Sequence, residues 1–348
     1  MMNLTEKSPY DRPVAAWLLL CAAIILGMIL LGGVTRLTNS GLSIVEWKPL
    51  VGIVPPLTEQ AWQETFAAYK QFPEYQKINR GMSLDAFKTI YMYEYLHRLL
   101  GRLIGVLYLL PLLYFAWRGG IRRGHMPKLI VLFFLGGCQG LLGWYMVKSG
   151  LVDNPRVSQY RLTAHLGLAV LIYAYMLWLA FDLLYRPVAA TEKVGEARPL
   201  ARWSGILVGL VYLMILSGGL VAGTHAGYAY STWPLMGDTF IPRGLYAGTP
   251  AWLDIFEDIT TVQFNHRIFA YVLVVLIGVF STLVWRSAVA GRARMAVTLL
   301  VLALTTQVVL GISTLLLHVP VALAAAHQGG AMLLLTAMLF ASHVLRRQ

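Results

Sequence analysis

The feature that most limits this chain is a set of eight apolar stretches, at roughly 14–34, 91–117, 127–147, 163–185, 202–222, 264–286, 295–317 and 321–345. Each holds about 20 residues or more, enough to cross a hydrocarbon core about 30 Å thick. Lipid offers no partner to a free backbone N–H or C=O, so every span must be a helix. Composition agrees: of 348 residues, 58% are hydrophobic and 13% charged, against about 45–50% and about 25% in soluble domains. The expected fold class is an all-α integral membrane protein with eight transmembrane helices. A soluble enzyme, a nucleic-acid module and a secreted disulfide scaffold are excluded.

The net charge of +12 reads as membrane topology and not as nucleic-acid binding. One set of connections carries Lys7 and Arg12, then Arg118, Arg122, Arg123 and Lys128, then Arg186, Lys193, Arg198 and Arg202. It continues with Arg286, Arg292 and Arg294, and ends with Arg346 and Arg347. The positive-inside rule makes that side cytoplasmic, with both chain ends on it. The N-terminal segment MMNLTEKSPYDRP lacks the basic region and cleavage site of a signal peptide, so the first span is expected to be retained. Cys21 and Cys138 both fall inside spans and read as small buried hydrophobes.

The opposite side has two long loops, about 35–90 and 223–262. In the first, Thr58 is placed to cap a helix through about Gln71, with Pro73 after its end. Trp62, Phe66 and Tyr69 form a stripe on it, which suits a helix lying on the membrane surface or on the bundle. Ser83 caps a second helix that runs into the second span. The other loop, rich in Gly, Pro, Trp and Tyr, reads as a compact lid. The segment 186–201 reads as a polar cytoplasmic linker.

The chain repeats itself across that linker. Gly32, Gly33, Thr38, Gly41 and Trp47 match Gly218, Gly219, Thr224, Gly227 and Trp233, all at one offset of 186. Glu94-Tyr-Leu-His97-Arg98 matches Gln263-Phe-Asn-His266-Arg267. Gln139 and Gly143 match Gln307 and Gly311, and Ala164-His165-Leu-Gly167 matches Ala326-His327-Gln-Gly329. Each half has an even number of spans, so both enter the membrane the same way. That implies a parallel repeat: two four-helix bundles related by a pseudo-two-fold axis along the membrane normal. The expected division is an N-terminal bundle over 1–185, the linker, and a C-terminal bundle over 202–348.

Of eight histidines, His125, His225, His318 and His343 read as solvated or interfacial polar residues. His97, His165, His266 and His327 differ. They sit near the outer ends of even-numbered spans, two per half, at matching places in the repeat. Ionisable groups inside a membrane are costly and mark function. Zinc and copper sites recruit further His, Cys or carboxylate ligands, whereas two imidazoles on opposing helices suit the two axial positions of a haem iron. Gly101, Gly105, Gly140, Gly143, Gly167, Gly311 and Gly329 leave room for a flat ring, or serve plain helix packing. Arg98 and Arg267 point about 100° from the preceding histidine. They are candidates for a haem propionate, the alternative being snorkelling to water. Glu94 shares a helical face with His97, while its counterpart is the neutral Gln263. A buried carboxylate there could act as a base or stabilise a cation, or simply pair with Arg98.

These residues together resemble the haem A synthase family across nearly the full length. The pieces are GGVTRLTNSGLS after the first span, the long outer loop, EYLHR, NHR, and the histidines of the fourth and eighth spans. The absence of a cysteine pair in the outer loops resembles the mitochondrial and alphaproteobacterial type. The resemblance implies oxidation of the C8 methyl of haem O to a formyl group, giving haem A for haem-copper terminal oxidases. It implies that His97 and His165 ligate the substrate haem, with Glu94 catalytic, and that His266 and His327 ligate a haem B cofactor. It places the protein in a bacterial inner membrane, with a haem O synthase and an electron donor as partners, and a homo-oligomer as one possible state. Two rival readings use the same histidines: a dihaem b-type electron-transfer cytochrome, and a repeat-built transporter.

Overall fold

A computed structural model describes residues 8–45, 53–150, 157–185, 194–289 and 291–347. Trp47 and residues 186–193 of the linker lie outside them. The described residues are helical, with no strands among them beyond one isolated bridge, Met236 to Thr239. Eight helices are long and apolar enough to cross a membrane: α1 (Asp11–Leu37), α4 (Leu84–Trp117), α5 (Met126–Gly150), α6 (Gln159–Leu184), α7 (Val194–Thr224), α8 (Ile259–Arg286), α9 (Gly291–Leu316) and α10 (Val321–Arg346). Two short helices, α2 (Glu59–Tyr69) and α3 (Pro73–Lys77), lie in the first long loop.

The sequence places each of the eight spans, and its reading of 186–201 as linker fails over the start of α7. α4 begins at Leu84, so at 1.5 Å per residue it is about 51 Å long and outruns the hydrocarbon core. Ser83 starts it as expected, its Oγ accepting from Ala86 N at 3.2 Å. α7 begins at Val194, inside the segment read as linker. Glu, Ala and Arg favour helix, and polarity does not end a helix once it leaves lipid.

In the N-terminal half, α1 packs on α4, α4 on α5, α5 on α6, and α6 back on α1. In the C-terminal half, α7, α8, α9 and α10 close the same ring. Between halves, α6 meets α7, α1 meets α10, and α6 meets α10. One apolar core runs through all of this. It includes Leu18, Ala22, Leu179 and Ala180 from the first half, and Leu207, Leu300, Leu335 and Met338 from the second.

Small residues and local hydrogen bonds fix the contacts. Gly167 of α6 receives Leu216 and Tyr212 of α7, and Gly329 of α10 receives Leu30 of α1. Those two glycines, expected to make room for a flat ring, instead serve packing between the halves. Pro111 lies inside α4 and leaves the Leu107 carbonyl without its helical donor. Trp17 of α1 supplies the missing donor, its indole Nε1 lying 2.9 Å from Leu107 O. On the side where α1 starts and α10 ends, Asp182 pairs with Arg347 and, at 3.0 Å, with His343 Nε2. His343 is therefore buried between the halves, at 1% exposure, and is not the solvated residue expected from its basic neighbours. Cys21 is buried as expected, but Cys138 lies on the exposed face of α5.

The first loop folds onto the end of α4. Thr58 caps α2, its Oγ1 accepting from Ala61 N at 3.2 Å. The stripe of α2 faces the bundle: Trp62 packs on Tyr91 at 5.0 Å, and Phe66 stacks on Phe87 at 4.9 Å between ring centres. Pro73 opens α3 instead of following a longer α2, in keeping with the preference of proline for the first helical turn. In the second loop, short 3-10 turns at Ala226–Tyr228 and Ala251–Ile255 give the compact form expected of a lid.

Candidate functional site

The four histidines come from one diagonal of each four-helix ring: His97 on α4 with His165 on α6, and His266 on α8 with His327 on α10. Members of each pair lie within electrostatic range of each other. All four are half-buried. The other diagonal supplies a glycine to each ring. A Cβ on Gly32 of α1 would lie 3.2 Å from His97 Cε1, and one on Gly143 of α5 would lie 3.0 Å from His165 Cε1. In the second half the corresponding distances are 3.5 Å from Gly218 of α7 to His266 and 2.8 Å from Gly311 of α9 to His327. Four imidazoles thus lie edge-on against four glycines, and a methyl group would crowd three of them, all but the one at Gly218.

This explains the repeated Gly-Gly pairs. Neighbouring residues on a helix point about 100° apart. The first glycine of each pair faces the histidine of its own half. The second faces the other half: Gly33 receives Gln328 of α10, and Gly219 receives Thr163 and Leu166 of α6. Gln328 Nε2 then donates to Ile29 O at 2.8 Å. Sequence reasoning found the pairs but not the roles of Gly32 and Gly218, because the repeat shows correspondence and not direction.

Glu94 is 3% exposed and fully engaged. Its Oε1 accepts from Arg98 at 2.5 Å, and its Oε2 accepts from Ser43 Oγ at 2.7 Å and Ile44 N at 2.8 Å. Arg98 also donates to Ile44 O at 2.9 Å. The second half repeats the clamp with neutral acceptors in place of the carboxylate. Tyr230, at the offset of 186 from Ile44, accepts on its carbonyl from Arg267 at 2.8 Å and from Gln263 at 3.1 Å. Arg267 also donates to the carbonyls of Thr232 and Leu235. Both arginines therefore tie the chain after the first helix of each half to the histidine-bearing helix. Ser43 was missed in the sequence; its only signal is its place in the GLS that follows α1.

Polar atoms near the rings differ between halves. Ser217 Oγ lies 3.1 Å from His266 Nδ1; the corresponding position in the first half is Leu31. The Nδ1 atoms of His97, His165 and His327 are buried without a hydrogen-bond partner, an expensive state for an imidazole unless another group takes up its capacity. Gln139 Nε2 donates to His165 O at 3.0 Å and lies 3.3 Å from His165 Nε2. Among the described residues no group of three or more His, Cys, Asp or Glu could hold a metal ion. Two facing imidazoles, glycines against their edges and no third ligand fit a haem and fit no zinc or copper site. Of the other histidines, His225 contacts Arg36 Nη2 at 2.7 Å, joining the last turn of α1 to the loop after α7.

The fold and these residues define a polytopic membrane protein with an imidazole pair in each half. Residues 15–339 match the family described as cytochrome oxidase assembly protein. The haem A synthase of Nitrosospira multiformis is 53% identical over 343 residues, covering 99% of this chain and 96% of that protein. Those of Nitrosomonas eutropha and Paramagnetospirillum magneticum are each 50% identical, covering 94% and 97% of this chain and 92% and 95% of theirs. The chain belongs to the haem A synthase family.

Proposed function

We propose that this protein is an oxidoreductase that converts haem O to haem A, and that the two histidine pairs divide the work. The observation that carries the division is the chemistry around otherwise matching pairs: Glu94 with Ser43 in the first half, Gln263 and Ser217 in the second. His97 and His165 hold the substrate haem. His266 and His327 hold a resident haem B, which supplies one-electron transfer. Ser217 fixes the His266 ring through Nδ1, leaving Nε2 as the ligating atom. Arg98 and Arg267, already committed to backbone carbonyls, reach a propionate only with hydrogens those bonds leave over.

Glu94 serves as a fixed negative charge and not as a mobile base. Three donors, one of them a guanidinium, hold the carboxylate in place, so both oxygens are already spent on fixed partners. A preorganised anion at the edge of the ring stabilises positive charge that develops as the methyl carbon is oxidised. The same bonds hold the Ser43–Ile44 segment against α4, one turn from His97.

The two rings of helices are arranged about a pseudo-two-fold axis between α6 and α10. The contact pattern supports it: exchanging the halves turns the α6–α7 contact into α10–α1 and returns α6–α10 to itself. The basic helix ends, from Arg12 and Arg122 to Arg294 and Arg347, support a cytoplasmic start of α1 and end of α10. The histidines then lie toward the outer face of a bacterial inner membrane. A haem O synthase and an electron donor are the partners this chemistry needs.

Acid-acetone extraction of the purified protein, with chromatography and mass detection, tests the proposal. Haem B together with haem O, a hydroxymethyl intermediate or haem A is the expected result. Haem B alone, at two per chain, would instead mark an electron-transfer cytochrome.

A further inference from the structure

The loop between α1 and α4 buries a carboxyl group that the histidine site does not use. Glu74, the second residue of α3, is 3% exposed. Tyr69 of α2 donates its hydroxyl to Glu74 Oε2 at 3.1 Å, while Asn79 Nδ2 donates to the Tyr69 oxygen at 2.8 Å. The Glu74 carbonyl closes α3 by accepting from Ile78 N and Asn79 N, both at 3.0 Å. Tyr69 is fully buried and stacks on Phe87 of α4 at 5.1 Å. Glu74 is therefore a buried part of the cover that α2 and α3 form over the loop-side end of α4, bonded to Tyr69 of the aromatic cluster that includes Phe66, Phe87 and Tyr91. Among the described residues, the titratable groups facing it are Tyr69 from α2 and Glu94 from α4, the latter held by Arg98.

We propose that Glu74 is a proton-operated latch: protonated, it holds α2 and α3 against α4, and as it ionises the cover opens. It reaches the site only by positioning that cover, and it stands on the loop's own geometry whatever the two pairs bind. A carboxylate in this cluster has one phenol for a partner and a second carboxylate within range, so both desolvation and charge favour the neutral acid. Burial first, and the Glu94 charge second, push Glu74 from its ordinary 4.5 up to about 8. In the open loop the group ionises near its ordinary value. Between the two values the closed form holds a proton that the open form has lost, so closure weakens as pH rises, about tenfold per unit. Below the ordinary value and above the raised one the closure constant is flat.

Hydrogen exchange of the full-length protein with its haem complement, read on peptides spanning residues 59–79, tests this. The quantity is the exchange rate of wild type divided by that of Glu74→Gln for the same peptide at the same pH, which cancels the chemical effect of hydroxide. We expect the ratio to climb about tenfold per unit from pH 5.5 and to level near 8. A ratio that stays constant from pH 5.5 to 8 would overturn the latch. Tyr69→Phe supplies a second test should Glu74→Gln misfold. The donated hydroxyl lowers the Glu74 value, so its removal must move the plateau of cover opening to higher pH. Coincident wild-type and Tyr69→Phe profiles would refute the proposal on their own.

Discussion

At the scale of single residues, the site is built from what is missing. Four glycines let four imidazoles lie against neighbouring helices, and the clearance differs at each. Gly311→Ala, with a Cβ 2.8 Å from His327, must push that ring; Gly218→Ala, at 3.5 Å from His266, makes an ordinary contact. We expect Gly311→Ala to lose most of the low-spin haem signal of the second half while Gly218→Ala retains it. Equal spectra for the two variants would separate the glycines from ligation. Glu94→Gln belongs to the same scale. It removes a buried charge from Arg98, at a cost of about 3–5 kcal/mol, and should leave haem bound while haem A output falls at least tenfold. Undiminished output would show that the charge is structural only. Motif spacing located all four histidines and Glu94. It could not show that Arg98 and Arg267 spend their hydrogens on backbone carbonyls, because those partners lie more than 30 positions away.

At the scale of helices, two irregularities are paired across elements. The proline of α4 opens a carbonyl, and a tryptophan of α1 closes it. Inside a membrane an unmet carbonyl has no water to turn to. Trp17→Phe should therefore cost about 1–3 kcal/mol, seen as a lower thermal midpoint. Adding Pro111→Ala, which restores the helical N–H, should return part of that loss. Strict additivity of the two changes would rule out the pairing. Helix existence was legible from hydropathy and caps, as Thr58 and Ser83 show. The backward extension of α7 to Val194 was not, because outside the membrane apolar length no longer marks a helix.

At the scale of the whole molecule, the two halves share one core, in which α6 meets α7 and α10, and α1 meets α10. Leu216 on Gly167, Leu30 on Gly329 and the Asp182–His343–Arg347 cluster all cross between halves. Neither half is expected to accumulate when expressed alone, because its inner helices would present core residues to lipid without partners. Co-expressed as fragments divided between 186 and 193, the halves should co-purify. Stable accumulation of the first fragment by itself would mean that the interface adds little.

The sequence by itself determined the membrane class, the eight spans, the repeat and the two pairs of histidines. Each follows from local quantities: apolar length against bilayer thickness, and identical residues at fixed offsets. Only the tertiary structure decided what each repeated glycine faces and which donors hold Glu94. It also decided that His343 and Glu74 are buried. Those are properties of direction and distance between segments far apart in the chain. A helix carries every residue past all sides within one turn, so its spacing alone does not say which side meets which neighbour.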